Sequence, residues 1–121
     1  MILIMQNLQF TAETAFCIAI GCGGEKIGEL RWALLWGELP FLEKIILKED
    51  WRGKGIGTRA MHYFERTLAQ NGYKTLLVST REDESGQHFF RKLGYKDCGA
   101  LDMRGFAKPQ PAAELFLYKN L

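Results

Sequence analysis

Around Arg52 the hydrophobic period of this 121-residue chain changes from that of strands to that of a helix. Upstream, Ala15 to Cys22 is nearly all apolar or small, which predicts a strand buried on both faces. Gly23-Gly24-Glu25-Lys26 predicts a hairpin turn, because paired glycines supply the positive φ that such turns need. A strand from about Ile27 to Trp36, a turn over Gly37 to Pro40 and a strand from Phe41 to Lys48 complete an antiparallel meander. Downstream, Ile56, Ala60, Phe64 and Leu68 recur every four residues with Tyr63 and Thr67 at their flank, so a helix follows. Asn71-Gly72 closes it.

The remainder alternates. Lys74 to Thr80 predicts a strand, and Asp83 to Ser85 offer capping residues and first-turn acids for a second helix, roughly Ser85 to Leu93. Gly94 stops that helix. A strand over Tyr95 to Leu101, a loop over Asp102 to Pro111 and a closing strand over Ala113 to Lys119 end the chain. The first dozen residues suit either a strand or a short helix, with Leu3, Leu8 and Phe10 as their apolar positions. The expected fold class is α/β in the α+β sense: a mixed, mostly antiparallel sheet flanked by helices. Residues 1–121 are expected to form one domain, with 1–14 a variable segment.

Composition excludes more than it identifies. Sixteen Lys+Arg against fourteen Asp+Glu leave a net charge of +2, too little to argue for nucleic acid or a membrane surface. Cys17, Cys22 and Cys98 have no CxxC spacing, and His62 and His88 stand at no ligand spacing, so no metal site is expected. No apolar run approaches the roughly 18 residues that span a bilayer, and no secretory pattern opens the chain. A soluble, cytoplasmic protein is expected.

The richest segment is Leu47-Lys48-Glu49-Asp50-Trp51-Arg52-Gly53-Lys54-Gly55-Ile56-Gly57-Thr58, where a strand ends, glycine recurs at every second position and a helix begins. The first amides of a helix have no intrahelical acceptor and sit at the positive end of its dipole. Glycines let the backbone bring such amides close to a phosphate or pyrophosphate. Arg52, Lys54 and Arg59 could add full charges. The segment is not G-x-x-x-x-G-K-[ST], nor G-x-G-x-x-G, since Thr58 stands beyond Gly57 where that register needs another residue. Taken alone, it also fits a mere tight strand-to-helix turn.

Arg52-Gly53-Lys54-Gly55-Ile56-Gly57 resembles the [RQ]-x-x-G-x-[GA] signature of the GNAT superfamily of acyl-CoA-dependent N-acetyltransferases. Gln87-His88-Phe89-Phe90-Arg91-Lys92-Leu93-Gly94-Tyr95 resembles that family's second conserved stretch, and the order of elements between the two agrees. The resemblance covers roughly Ala15 to Leu121. It implies transfer of an acetyl group from acetyl-CoA straight to a primary amine of a small molecule or peptide. The cofactor's pyrophosphate would lie on the amides of Arg52 to Gly57, beside Thr58. The strand Ile45, Ile46, Leu47 would hold its pantetheine arm through backbone groups, with Phe90 nearby. No metal is needed for such a reaction. Glu43 is the candidate base, at a position where some members carry a functional glutamate; it equally fits a solvated strand carboxylate, and Glu38 is a second choice.

Two departures accompany the resemblance. Many members have a tyrosine acid where Phe90 stands, and phenylalanine has no proton to give; Tyr95 is expected to pack at the turn rather than replace it. Typical members also have a strand and two helices before the meander, for which about fourteen residues are too few. The acceptor groove is therefore expected to be open, or covered by a second subunit, and a homodimer is favoured by the apolar surface of Trp32, Trp36 and Phe41. Two other readings use the same residues. One is a CoA-binding regulator without turnover. The other is a nucleic-acid binder built on Arg52, Lys54, Arg59, Arg66, Arg91 and Lys92, which the near-neutral charge opposes.

Overall fold

Seven strands form one sheet in the order β1-β2-β3-β4-β5-β7-β6. The structure, a computed structural model, describes residues 2–121. The strands are β1 (Leu8–Thr14), β2 (Cys17–Cys22), β3 (Glu25–Leu35), β4 (Leu39–Leu47), β5 (Thr75–Arg81), β6 (Lys96–Leu101) and β7 (Glu114–Asn120). Among the described residues three α-helices accompany them: α1 (Ile2–Gln6), α2 (Ile56–Gln70) and α3 (Gly86–Lys92). Every neighbouring pair of strands is antiparallel except β4 and β5. The mixed, mostly antiparallel sheet with helices is thus the fold present. No helix among the described residues is long and apolar enough to cross a membrane.

Register explains where the core lies. Ile18 pairs with Leu30, Leu30 with Ile45, Leu42 with Val78 and Val78 with Leu117, which places these side chains on one face. That face meets Ile56, Ala60, Met61, Phe64 and Leu68 of α2 and Phe90 of α3 in one apolar cluster. The stripe read from the sequence lacked only Met61. The other face has no helix of its own, so Ala15 to Cys22 is not buried on both sides as expected. β2 begins at Cys17, and its Ala19 and Gly21 remain half-buried.

Several boundaries differ from the sequence reading for local reasons. The ambiguous start resolves into a short helix, then a strand from Leu8. β1 turns into β2 through Ala15 and Phe16 alone, so no helix stands between these strands. Ser85 precedes α3 in a helical conformation and makes no side-chain cap, and no acid lies in the first turn. Gln87 braces that entry instead, its side-chain amide donating to the carbonyls of Glu82 (2.6 Å) and Glu84 (3.3 Å). The premise for a covering subunit also narrows. Trp32 packs edge-on against Phe64 and Phe16, and Phe41 lies beside Phe116, as in ordinary sheet packing. Of these three, only Trp36, 83% exposed at the β3–β4 turn, leaves its ring in solvent.

Two contacts pin the frame. Gly28 on β3 lies so close to β4 that a Cβ there would run into the Ile46 carbonyl and come within 2.9 Å of Leu47 Cδ2. Tyr95, 3% exposed, donates its hydroxyl to Glu65 on α2 at 2.5 Å, while Lys119 on β7 holds the other carboxylate oxygen at 3.1 Å. Burial, and then the Glu65 carboxylate beside it, push the Tyr95 hydroxyl far above the ordinary tyrosine range. It stays protonated and serves as a strut between α2 and the start of β6.

Gly28→Ala should destabilise the fold by about 1–3 kcal/mol, the cost of overpacking where backbone is the obstacle. Tyr95→Phe should cost about 1–3 kcal/mol, as expected for a buried hydrogen bond to a carboxylate. Both are read as a lower denaturant midpoint at unchanged m-value.

Candidate functional site

β4 and β5 pair only at Phe41 with Leu77 and Leu42 with Val78. Beyond those two positions the strands part, and a cleft of about 710 Å³ opens between them. Glu43 sits where they separate. Arg31 pairs with Lys44 and Trp32 with Leu42, so Glu43 is the extra residue of a β-bulge, a device that re-aims a side chain and bends a strand. The bulge is a backbone event that hydrophobic pattern does not encode.

Of the site residues read from the sequence, Glu43, Ile45, Leu47, Arg52, Gly53, Gly55, Ile56, Gly57, Thr58 and Phe90 all line this cleft. Ile46 and Lys54 do not. Ile46 alternates to the opposite face of β4, 43% exposed, and its carbonyl points at Gly28 on β3. Ile45 and Leu47, one residue to either side, therefore turn their backbone groups toward the cleft. Lys54 lies half-buried outside the lining, between two glycines of positive φ.

The loop is held from both ends. Arg52 donates its Nε to the Leu47 carbonyl at 3.0 Å, which ties the loop to the end of β4. Gly53 (φ 72°) and Gly55 (φ 82°) adopt the left-handed conformation, and Gly55 is the residue before the first turn of α2. From Gly53 to Thr58 six successive amides have no hydrogen-bond acceptor among the described residues. Six free donors at the start of a fifteen-residue helix make a cradle for an anion.

Sequence reasoning missed the far wall. Ser79, Thr80 and Arg81 of β5, Ser85, Gly86 and Phe89 at α3, and Glu114 of β7 also line the cleft. Thr80 and Ser79 carry no motif; only the alternation of β5, buried at Leu76, Val78 and Thr80, could have assigned them to sides. Glu114 pairs in register with Arg81 and is a carboxylate without a hydrogen bond among the described residues.

A second groove, about 820 Å³, lies on the sheet face without helices and meets the first at Glu43, which lines both. Its walls include Glu13, Phe16, Cys17, Lys26, Glu29 and Arg31. Lys26 Nζ bridges Glu13 (2.7 Å) and Glu29 (3.1 Å), and Glu29 also accepts from Arg31. These partners, Arg31 first, hold the Glu29 carboxyl down at about 2, and Lys26 lowers that of Glu13. Burial, with Glu29 and Glu13 close by, pushes the Cys17 thiol up, so it remains protonated at neutral pH. Glu13, Cys17 and Glu29 bring three donor atoms within 4.8 Å of one another, a cluster with no trace in the sequence because three strands contribute to it. Its carboxylates are engaged by Lys26 and Arg31. Glu43, by contrast, has no hydrogen bond or ion pair among the described residues.

Comparison with known proteins follows from this geometry. The profile of the Acetyltransferase (GNAT) domain matches residues 12–97, more than half of the chain. Spermidine N(1)-acetyltransferase of Escherichia coli K12 is 33% identical over 91 residues, covering 68% of this chain and 46% of that protein. The chain thus spans about half the length of that relative. Among solved structures, a GNAT family acetyltransferase from Elizabethkingia anophelis with acetyl-CoA bound superposes at a TM-score of 0.78. That match is 16% identical and covers 98% of this chain and 79% of the other. Aminoglycoside 6'-N-acetyltransferase from Enterococcus faecium gives 0.72 at 21% identity, covering 86% and 71%. At such identities these two matches speak for the fold alone.

Proposed function

The chain belongs to the GNAT acetyltransferase family, and on that premise we propose that it moves an acetyl group from acetyl-CoA directly to a primary amine. The observation that carries this reading is the run of six unpartnered amides, Gly53 to Thr58, five of whose residues line a cleft that also holds an unpaired carboxylate, Glu43. The amides and the Arg52 guanidinium would hold the cofactor's pyrophosphate, with Lys54 a charge outside the lining. The pantetheine arm would run along the backbone edge of Ile45 and the Leu47 amide, the Leu47 carbonyl being held by Arg52, with the acetyl group lying at the parting of β4 and β5.

The amine would enter by the second groove, because that groove and the cleft share Glu43. An ammonium has no lone pair, so it must first give a proton to Glu43, directly or through water. The nitrogen then attacks the carbonyl carbon, charge develops on the carbonyl oxygen, and amides on the parted edge of β4 would stabilise it. The carbon–sulfur bond breaks and the electron pair leaves on sulfur. Positioning two reactants in one cleft supplies much of such a rate. The name of the E. coli relative, for spermidine, supports an amine acceptor for this chain as well.

A second reading, a CoA-binding domain without turnover, is favoured by Phe90, which has no proton to give where the family resemblance places a tyrosine. Thiol release measured across a panel of small and peptide amines separates the two. Glu43→Gln should lower kcat by about 10²–10⁴-fold with CoA affinity unchanged. The residual rate should then rise with pH only as the free amine does. Gly55→Asp, which adds a side chain and a charge at a left-handed position, should abolish the calorimetric heat of acetyl-CoA binding while the circular dichroism spectrum stays that of the wild type. Saturating acetyl-CoA that gives the wild-type chain neither heat nor a higher Tm would sink both readings.

A further inference from the structure

We infer that the hydroxyl of Thr80 donates a hydrogen bond to the departing sulfur, the part that Phe90 cannot play. The inference rests on the reading of the cleft as an acetyl-CoA site and adds a catalytic residue to it. β5 alternates, with Leu76, Val78 and Thr80 on the helix side and Leu77, Ser79 and Arg81 on the other. Thr80 is 9% exposed and is the one polar side chain among the described residues that counts with the core. Its hydroxyl has no hydrogen-bond partner among the described residues, yet Thr80 lines the cleft. A position that only needed packing would be served as well by valine, which has the same shape and no group to satisfy.

Gly86 explains why the hydroxyl stays uncovered. A Cβ on Gly86, the first residue of α3, would stand 2.7 Å from Thr80 Oγ1. The glycine therefore leaves the space beside that oxygen open to the cleft, where Phe89 and Phe90 form the rest of the wall. Thr80 also lies at the right depth. It is two residues past Val78, the last β5 residue paired with β4, and so roughly 7 Å beyond the closed end of the cleft. Glu43 is one residue past the matching point on β4. The base and the hydroxyl thus flank the parting, with Glu43 reaching the helix-free groove and Thr80 facing the helices that carry the anion cradle. An amine arriving from the groove and a cofactor lying along the loop would meet between them.

Glu43 takes the ammonium's proton, the nitrogen–carbon bond forms, the carbon–sulfur bond breaks with its electron pair going to sulfur, and the nitrogen gives up its second proton to solvent as the amide forms. Thr80 keeps its own proton and donates a hydrogen bond to the thiolate, which then takes a proton from solvent. A thiol with a reference pKa near 8.5 needs no full proton transfer to leave, so one donor is enough help.

Thr80→Val and Thr80→Ser test this in the full chain. Thr80→Val should lower kcat about tenfold at little change in KM for acetyl-CoA, as removal of a donor used only in the transition state does. Thr80→Ser should keep the wild-type rate. The thiol of bound CoA, followed by the ultraviolet absorbance of its thiolate, should titrate about one pH unit higher in Thr80→Val, a tenfold shift. Adding Phe90→Tyr to Thr80→Val should restore turnover. Equal loss in the serine and valine variants, or identical thiol titrations in wild type and Thr80→Val, overturns the inference while leaving the cofactor reading in place. A wild-type chain that binds no CoA overturns both.

Discussion

Two backbone pairings, Phe41 with Leu77 and Leu42 with Val78, join the halves of the sheet, and everything chemical about this chain depends on where they stop. Parallel strands cannot be connected by a tight turn, so β4 must leave the sheet, cross over through α2 and return as β5. The crossover brings the start of α2 beside the end of β4. The bulge at Glu43 falls where β4 and β5 part, and the cleft beyond it reaches that same helix start. Cleft, free strand edge and helix N-terminus are therefore one consequence of one topology. Had the strands stayed paired, the backbone groups of Ile45 and Leu47 would be spent on β5, and no cleft would exist.

The loop completes this by withholding hydrogen bonds. A buried or half-buried amide ordinarily finds an acceptor; Lys54, Ile56, Gly57 and Thr58 are buried or half-buried and have none among the described residues, a stored demand for negative charge. Left-handed Gly53 and Gly55 make the arrangement possible, and Arg52, tied to Leu47, fixes the angle at which the loop leaves the strand. Elsewhere several charges are satisfied by one another. Arg91 grips Asp97, Arg104 grips Asp102, and Lys26 spans Glu13 and Glu29. Of the six cations that a nucleic-acid reading would enlist, Arg91 is neutralised locally by Asp97.

The sequence showed the architecture because its periods are clean. Alternation and glycine pairs marked the meander, and Ile56, Ala60, Phe64 and Leu68 marked α2. The loop was legible for the same reason, since glycines at alternate positions before a helix have few other uses. What escaped notice depends on pairing between distant segments. The insertion of β7 between β5 and β6 decides that Glu114 borders the cleft, yet nothing near Glu114 reports it. The bulge at Glu43 arises from a mismatch of register between β3 and β4. Ile46 looked equivalent to Ile45 and Leu47 until alternation was anchored to a partner strand. Thr80 looked like any strand threonine.

The helix-free face raises the question of what selects the acceptor. β1 reaches β2 through two residues, so no helix between these strands folds over this face. The groove there is walled by Phe16 and Trp32, edge to face at 5.0 Å, and by ion pairs that largely cancel one another. Such a wall exerts little net pull on a cation or an anion; it offers an apolar surface and hydrogen-bonding rims. Selection would then fall on the one carboxylate at its floor that lacks a partner, Glu43, and on whether an amine can reach it. Discrimination by reach rather than by charge suits an acceptor whose remote part is bound loosely, and it places the burden of specificity on the last few ångströms before the parted strands.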